Sequence, residues 1–319
     1  MKLLLTGGTG FFGRSLLQFI AAKNQPFEVT VLTRCPSIFL RKYPQYSKLP
    51  WLRFQIGDVT QSDTLSTLAG KDRFTHLLHA ALDSTVSSGL NSFERFDQIV
   101  NGTRNMLKLA AENGINRFLL TSSGAVYGPQ PYSIESISES YLGTADPLLM
   151  SSTYGLSHRM AEHFCTLTSK ESGLETVIAR CFAFVGEDLP MSAHFAIGNF
   201  IRDAKFNTCI EVQGNGSPIR SYLHQSDLAN WLLTLLKKGE PGEAYNVGSD
   251  HAISIVDLAH MVRDVVAPYK PVIVRQNLLA DNNQRNRYIP NIDKARNNLS
   301  LTVNVPLEES IYLASKYVA

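Results

Sequence analysis

The chain has 319 residues, 44% of them apolar and 18% charged, with a formal net charge of +2 at pH 7. This composition excludes a disordered or coiled-coil chain and supports one large α/β domain or a domain with a smaller lobe; Lys and Arg are spread along the chain without a basic stripe, so nucleic acid is not an expected partner. Cys35, Cys165, Cys181 and Cys209 share no C-x-x-C spacing and read as reduced residues of a cytoplasmic protein.

The opening "MKLLLTGG" has three consecutive leucines before glycine, too short for a signal peptide, and no window reaches the roughly 18 apolar residues of a membrane span. From residue 1 to about 180 short apolar runs alternate with helical patterns. The runs are "KLLLTG" (2–7), "EVTVLTR" (28–34), "LRFQIGD" (52–58), "HLLHAA" (76–81), "RFLLTSS" (117–123) and "TVIARC" (176–181). Between them "GRSLLQFIAAK", "FDQIVNGTRNMLKLAAENG" and "SHRMAEHFCTLTSKESG" have helical spacing, the last two ending at glycine. Strand, helix, strand in this rhythm predicts a Rossmann-type α/β fold with a doubly wound parallel sheet.

After residue 180 the rhythm breaks into loops, followed by one more strand and helix in "GEAYNVGSDHAISIVDLAHMVRDV". The expected organisation is a nucleotide-binding domain over 1–180 and a mainly substrate-binding part over 181–319, with segments such as 219–248 able to return to the first. No internal repeat interrupts this plan.

The first strand runs into "TGGTGFFGRSLLQFI", where Gly7, Gly10 and Gly13 stand in G-x-x-G-x-x-G spacing around Phe11 and Phe12. Such glycines permit a tight turn, close approach of a pyrophosphate to the backbone, and packing of helix on strand. The second strand ends in Thr33 and Arg34 without an acidic residue to take ribose hydroxyls. Arg34 therefore favours NADP over NAD, unless it is a solvated surface residue and other groups hold the ribose.

Several motifs in order resemble the extended short-chain dehydrogenase/reductase family, the NAD(P)-dependent nucleotide-sugar epimerases and dehydratases. They are "TGGTGFFG" (6–13), "GDVT" (57–60), "HLLHAA" (76–81), "VNGTRNML" (100–107), "LLTSSGAVYG" (119–128), "STYGLSHRMAE" (152–162), "SPIRSYLHQSDLA" (217–229) and "AYNVGSD" (244–250). The resemblance implies that Asp58 and Val59 sit by the adenine, that Ala80 and Ala81 line the cofactor, and that Asn101 lies in the helix behind the active site. From composition alone, Asp58 could equally be a helix cap and the alanines core.

The same resemblance implies hydride transfer between nicotinamide and a sugar carbon, with Tyr154 moving the hydroxyl proton and Ser123 hydrogen-bonding the reacting oxygen. A free phenol has a pKa near ~10, so it needs nearby charge or donors to act as a base. The family has lysine four residues after the tyrosine; here the residue is His158. It can still meet a ribose hydroxyl, but at a reference pKa of ~6.5 it offers less positive charge. The site is then either tuned or disabled.

Two further departures bear on the reaction. Gly124 and Ala125 replace the Asp-Glu pair of the 4,6-dehydratases, so loss of water from the sugar is not expected. Ala183 stands where the family commonly has a substrate-binding asparagine, which leaves Asn199 and Arg220 as candidates, the latter as a fork for the diphosphate or as an uninvolved surface residue. His79, His194, His224 and His251 show no metal-ligand grouping, and no metal is expected.

The expected function is 4-epimerisation or 4-keto reduction of a nucleotide-activated sugar, in a pathway supplying surface polysaccharide. The alternative is an impaired protein that only binds NAD(P) or the nucleotide sugar. Family members often form homodimers through helices like 91–113 and 152–170, and the same is expected here.

Overall fold

The strand β1 (Lys2–Thr6) buries Leu3 and Leu5 in one core and Leu4 in the opposite one, each with no exposed surface. A strand covered on both faces has to be apolar throughout, which is why these runs lack the alternation of a half-exposed strand. A computed structural model describes residues 1–23, 27–70, 73–81, 89–143, 145–191, 195–275 and 287–317. Part of the predicted loop after residue 180, with His194, lies outside the described residues.

From β1 the chain continues through α1 (Phe11–Lys23), β2 (Glu28–Thr33), α2 (Pro36–Lys42), β3 (Leu52–Ile56), α3 (Ser62–Leu65), β4 (His76–His79), α4 (Ser92–Glu112), β5 (Arg117–Ser123), α5 (Thr153–Ser172) and β6 (Glu175–Cys181). All six predicted apolar runs are strands. The three predicted helices also form, each beginning before the patterned segment. α4 starts early because the Asn91 side chain accepts hydrogen bonds from Phe93 N and Glu94 N at 2.9 and 3.0 Å, while the Glu94 carboxylate accepts one from Asn91 N at 2.8 Å. α5 ends at Gly173, whose φ of +76° lets the chain leave the helix left-handed.

The second half forms β7 (Phe184–Val185), α6 (Ala196–Phe206), β8 (Ile210–Gln213), β9 (Ile219–Arg220), β10 (Leu223–His224), α7 (Gln225–Lys238), β11 (Ala244–Val247), β12 (Ile253–Ser254), α8 (Ile255–Val266), β13 (Val272–Arg275), β14 (Arg287–Tyr288), α9 (Asp293–Leu299) and α10 (Leu307–Lys316). Seven strands make one parallel sheet in the order β11-β6-β5-β4-β1-β2-β3, a Rossmann-type doubly wound arrangement. One core joins the sheet to α1 and α7, the other joins it to α4 and α5. β11 extends the sheet beside β6, whereas β9 pairs with β12 and β14 in a separate small sheet. A third core among α6, α8 and α10 builds the other lobe.

The strand order reverses between β1 and β4, so the loops leaving their carboxyl ends diverge and open a crevice there. Behind it the sheet and α5 are locked by a buried ion pair. Arg180 of β6 meets Glu162 of α5 at 2.8 Å, and Ser122 donates to the same carboxylate at 2.7 Å. Removing one partner of such a pair costs about 3–5 kcal/mol, so the register of α5 against β5 is tightly set. Among the described residues no helix is long and apolar enough to cross a membrane.

Candidate active site

At the crevice the glycine turn is shaped by contact as well as conformation. Gly7 has φ +71°, and a Cβ there would collide with the carbonyl of Ala80 at the end of β4. Thr6 ties the same two strand ends together: its hydroxyl accepts from Ala80 N and Ala81 N, both at 3.1 Å, and lies 2.7 Å from His79 Nδ1. With two donors already on the oxygen, the hydroxyl proton goes to Nδ1, which leaves the His79 proton on Nε2.

A cavity of about 880 Å³ opens over this turn. It is lined on one side by Gly7, Gly10, Phe11, Phe12, Arg34, Asp58, Val59, Ala80, Ala81 and Asn101, and deeper in by Ser123, Tyr154 and His158. Gly13 is not among the lining residues; a Cβ there would strike the Gly8 backbone, so it packs helix against turn. Asp58 does not cap α3, whose N-cap is Gln61; its carboxylate accepts from Thr60 N at 2.9 Å and Thr60 Oγ1 at 2.8 Å, which folds the loop at the cavity wall. Asn101 donates to Asp97 at 3.2 Å from the exposed side of α4.

Ser123 ends β5 and Tyr154 opens α5, and both side chains line the cavity. The serine oxygen accepts from Ala125 N at 3.1 Å, which leaves its own proton free to donate. Burial pushes the Tyr154 phenol well above its ordinary value, and the neighbouring Tyr288 phenol adds to this; the nearby Ser123 hydroxyl and the Arg95 guanidinium act the other way. Tyr154 is therefore held as the neutral acid.

His158 is 1% exposed, and burial with the nearby His79 depresses its pKa to about 3. It is neutral at pH 7 and supplies no positive charge to Tyr154. Neither of its ring nitrogens has a hydrogen-bond partner, although both are buried. Buried polar groups are seldom left so, and His158 lines a cavity where a hydroxyl-bearing ligand could satisfy one of them.

The opposite wall is largely aromatic and aliphatic: Phe182, Ala183, Phe184, Leu189, Phe195 and Tyr222. Asn199 lies one turn beyond Phe195 on α6, its amide donating to the Phe195 carbonyl at 3.1 Å, and it is not a lining residue. Arg220 is half-buried on β9 and donates to the Ile219 carbonyl at 2.8 Å, also outside the lining. Sequence reasoning passed over Phe182, Tyr222, Arg95 and Tyr288. Single aromatic residues in loops and short strands carry no period or motif that would mark them. Among the described residues no three His, Cys, Asp or Glu side chains converge as metal ligands.

The residues present fit a dinucleotide, since the Gly7 cradle leaves backbone amides open to a phosphate and His158 keeps unused nitrogens for a ribose hydroxyl. This fold and crevice define a Rossmann-type α/β protein with a dinucleotide-shaped cleft where the strand order reverses. The chain belongs to the NAD dependent epimerase/dehydratase family, whose model matches residues 3–248. It is 30% identical over 321 residues to UDP-glucuronic acid decarboxylase 3 of Arabidopsis thaliana, covering 98% of this chain and 87% of that one. UDP-glucuronic acid decarboxylase 1 of Danio rerio is 28% identical over 317 residues, covering 99% and 72%.

Solved structures share the fold at lower identity. UDP-glucose 4-epimerase of Thermotoga maritima, solved with UDP-glucose, superposes with a TM-score of 0.85 at 18% identity, covering 99% of this chain and 98% of that one. UDP-glucuronic acid 4-epimerase of Bacillus cereus with NAD gives 0.83 at 20% identity, covering 99% and 96%.

Proposed function

We propose that the protein carries out NAD(P)-dependent redox chemistry at C4 of a nucleotide-activated hexose, by 4-epimerisation or by reduction of a 4-keto sugar. The observation that carries this reading is the meeting of Ser123, at the carboxyl end of β5, and Tyr154, at the start of α5, on the same cavity that opens over the Gly7 turn. Gly7, Gly10, Phe11 and Phe12 would hold the dinucleotide phosphates, Asp58 and Val59 the adenine side, and Ala80, Ala81, Asn101 and His158 the nicotinamide side. The dinucleotide, once bound, supplies the hydride donor or acceptor. Ser123 then orients the reacting sugar oxygen while Tyr154 gives or takes its proton.

A protonated Tyr154 favours the reductive direction, in which the phenol delivers its proton to a forming alkoxide. Arg34, lining the adenosine end beside Thr33, supports NADP as the cofactor in the same direction. Dehydration at C5 and C6 needs a base and an acid that Gly124 and Ala125 lack. Decarboxylation of a hexuronate is the second reading, favoured by the full-length likeness to the decarboxylases. Against it, Arg34 is the one Lys or Arg among the described lining residues, and it stands away from Ser123.

Incubation with UDP- and dTDP-linked hexoses, hexuronates and 4-keto sugars, with NAD and with NADP, tests the proposal. Interconversion or reduction at C4 is expected. Release of CO2 from a UDP-hexuronate would establish the second reading, and tight binding without turnover across the panel would favour an impaired binder, the reading that the neutral His158 supports. Exposed apolar side chains on α4 and α5, among them Phe96, Met160 and Leu167, support a homodimer through these helices, which sedimentation would test.

A further inference from the structure

Two imidazoles meet beneath the cavity with three ring nitrogens unused. His79 ends β4, and side chains two apart on a strand share a face, so it lies on the side of Leu77, in the core that joins the sheet to α4 and α5. His158 comes to that core from α5, on the helix face of Ala161 and Cys165, which are fully buried there. His79 has no exposed surface and His158 only 1%, and the rings are near enough that charge on His79 opposes charge on His158.

Thr6 fixes how the first ring is protonated. Its oxygen accepts from Ala80 N and Ala81 N, so its own proton goes to His79 Nδ1, 2.7 Å away, and the His79 proton sits on Nε2. That Nε2–H is buried and has no partner among the described residues, and neither has Nδ1 or Nε2 of His158. A neutral imidazole offers one donor and one acceptor. Turning the His79 donor toward the His158 acceptor satisfies two of the three nitrogens at once, and leaves the third for the cavity that His158 lines.

We propose that His79 is a positioning residue for His158: its Nε2 proton is directed to one His158 nitrogen, which keeps the His158 proton on the other nitrogen and makes that ring a hydrogen-bond donor to a ribose hydroxyl of the dinucleotide. Donation then runs in one direction, from the amides at the end of β4 through Thr6, His79 and His158 to the ligand. A lysine at position 158 would be a donor by its own chemistry, whereas a neutral histidine is one only if its tautomer is set. The ligand end of this relay rests on the dinucleotide reading above; the two tautomers do not.

The 15N NMR spectrum of the unliganded protein, labelled at histidine and held at about pH 7.5, reads the tautomers, with the His158 signals assigned by their loss in His158→Asn. In wild type, His79 is expected as the Nε2–H form and His158 as a single tautomer. Thr6→Ser keeps the hydroxyl and is expected to change neither. Thr6→Val and His79→Leu, two independent ways of breaking the relay, are each expected to release His158 into a mixture of tautomers. A His79 protonated on Nδ1, a His158 already mixed in wild type, or a His158 tautomer unmoved by these two variants overturns the proposal.

Calorimetric titration tests the ligand end. His79→Leu is expected to weaken NADP and NAD by about 10-fold, and to leave ADP and adenosine 2′,5′-bisphosphate, which lack the nicotinamide ribose, unchanged. Equal loss of dinucleotide and fragment overturns the proposal in favour of a structural role for His79 at the glycine turn. A wild type that binds neither dinucleotide overturns the dinucleotide reading and with it the ligand end of the relay.

Discussion

His158 meets Tyr154 edge-on within α5, with ring centroids 4.6 Å apart and planes at 77°. One helical turn brings the two rings onto the same face, and burial keeps the imidazole neutral. The family's lysine would put a cation against the phenol; this chain puts a neutral ring there. The consequence is a phenol that holds its proton, with Ser123 and Arg95 as the influences working to release it.

His158→Lys should lower the Tyr154 pKa by about 1–3 units, the effect expected of an adjacent opposite charge. In the oxidative direction, which needs the phenolate, the rise of kcat with pH should move to lower pH. In the reductive direction, which needs the phenol, activity should begin to fall at a lower pH than in wild type. Full pH profiles in both directions measure this, and superimposable profiles would show that position 158 has no electrostatic part.

Tyr154→Phe should reduce kcat by about 10²–10⁴-fold, the usual worth of a positioned acid/base, with cofactor affinity retained. Ser123→Ala should cost about 10²-fold, as loss of one preorganised donor does. Single-turnover kinetics with saturating cofactor give both numbers. A Tyr154→Phe enzyme with wild-type kcat would falsify the assignment.

Acid should destabilise the native state through two buried imidazoles. His79 and His158 both have native pKa values depressed to about 3, against ~6.5 unfolded. Between those values the unfolded chain binds protons that the native chain refuses, so stability is full above about pH 6.5 and falls as pH drops. Each histidine contributes a slope of up to ~1.4 kcal/mol per pH unit. Urea melts from pH 7.5 to pH 5 should show the decline, and His158→Asn should make it about half as steep.

Arg34→Ala should weaken NADP by about 10–100-fold, the worth of charge-assisted hydrogen bonds to a phosphate, and leave NAD nearly unchanged. Fluorescence titration with each dinucleotide decides it; equal losses would mean that Arg34 does not read the 2′-phosphate.

Gly7→Ala should abolish measurable dinucleotide binding and lower the melting temperature. The methyl group meets the Ala80 carbonyl, and φ +71° costs an L-residue about 1–2 kcal/mol by itself. Calorimetry against NAD and NADP, with a thermal melt beside it, separates loss of the site from loss of the fold.

What the sequence determined alone is the part of the molecule governed by local patterns. Short apolar runs alternating with helical patterns read as strands covered on both faces, so β1 to β6 and their parallel direction follow from that alternation. The Gly7 turn, Ser123 at a strand end and Tyr154 at a helix start are marked by motifs whose spacing is set by one turn or one strand. The start of α4 lies ahead of the apolar pattern that begins at Phe96, because the Asn91 capping box opens the helix at Ser92.

Tertiary structure alone decided the electrostatics and the far wall of the site. That His158 is neutral follows from its burial beside His79, a residue on another element, and no local pattern encodes the desolvation that shifts a pKa. Arg220 and Asn199, read as substrate contacts from motif position, stand outside the cavity lining because their short strand and helix face other partners. Tyr288 reaches Gly124 across 164 positions of sequence, a pairing made by β14 beside β9 and by the stack on Phe182. Contacts at such separation depend on how layers pack, and packing is a property of the whole fold.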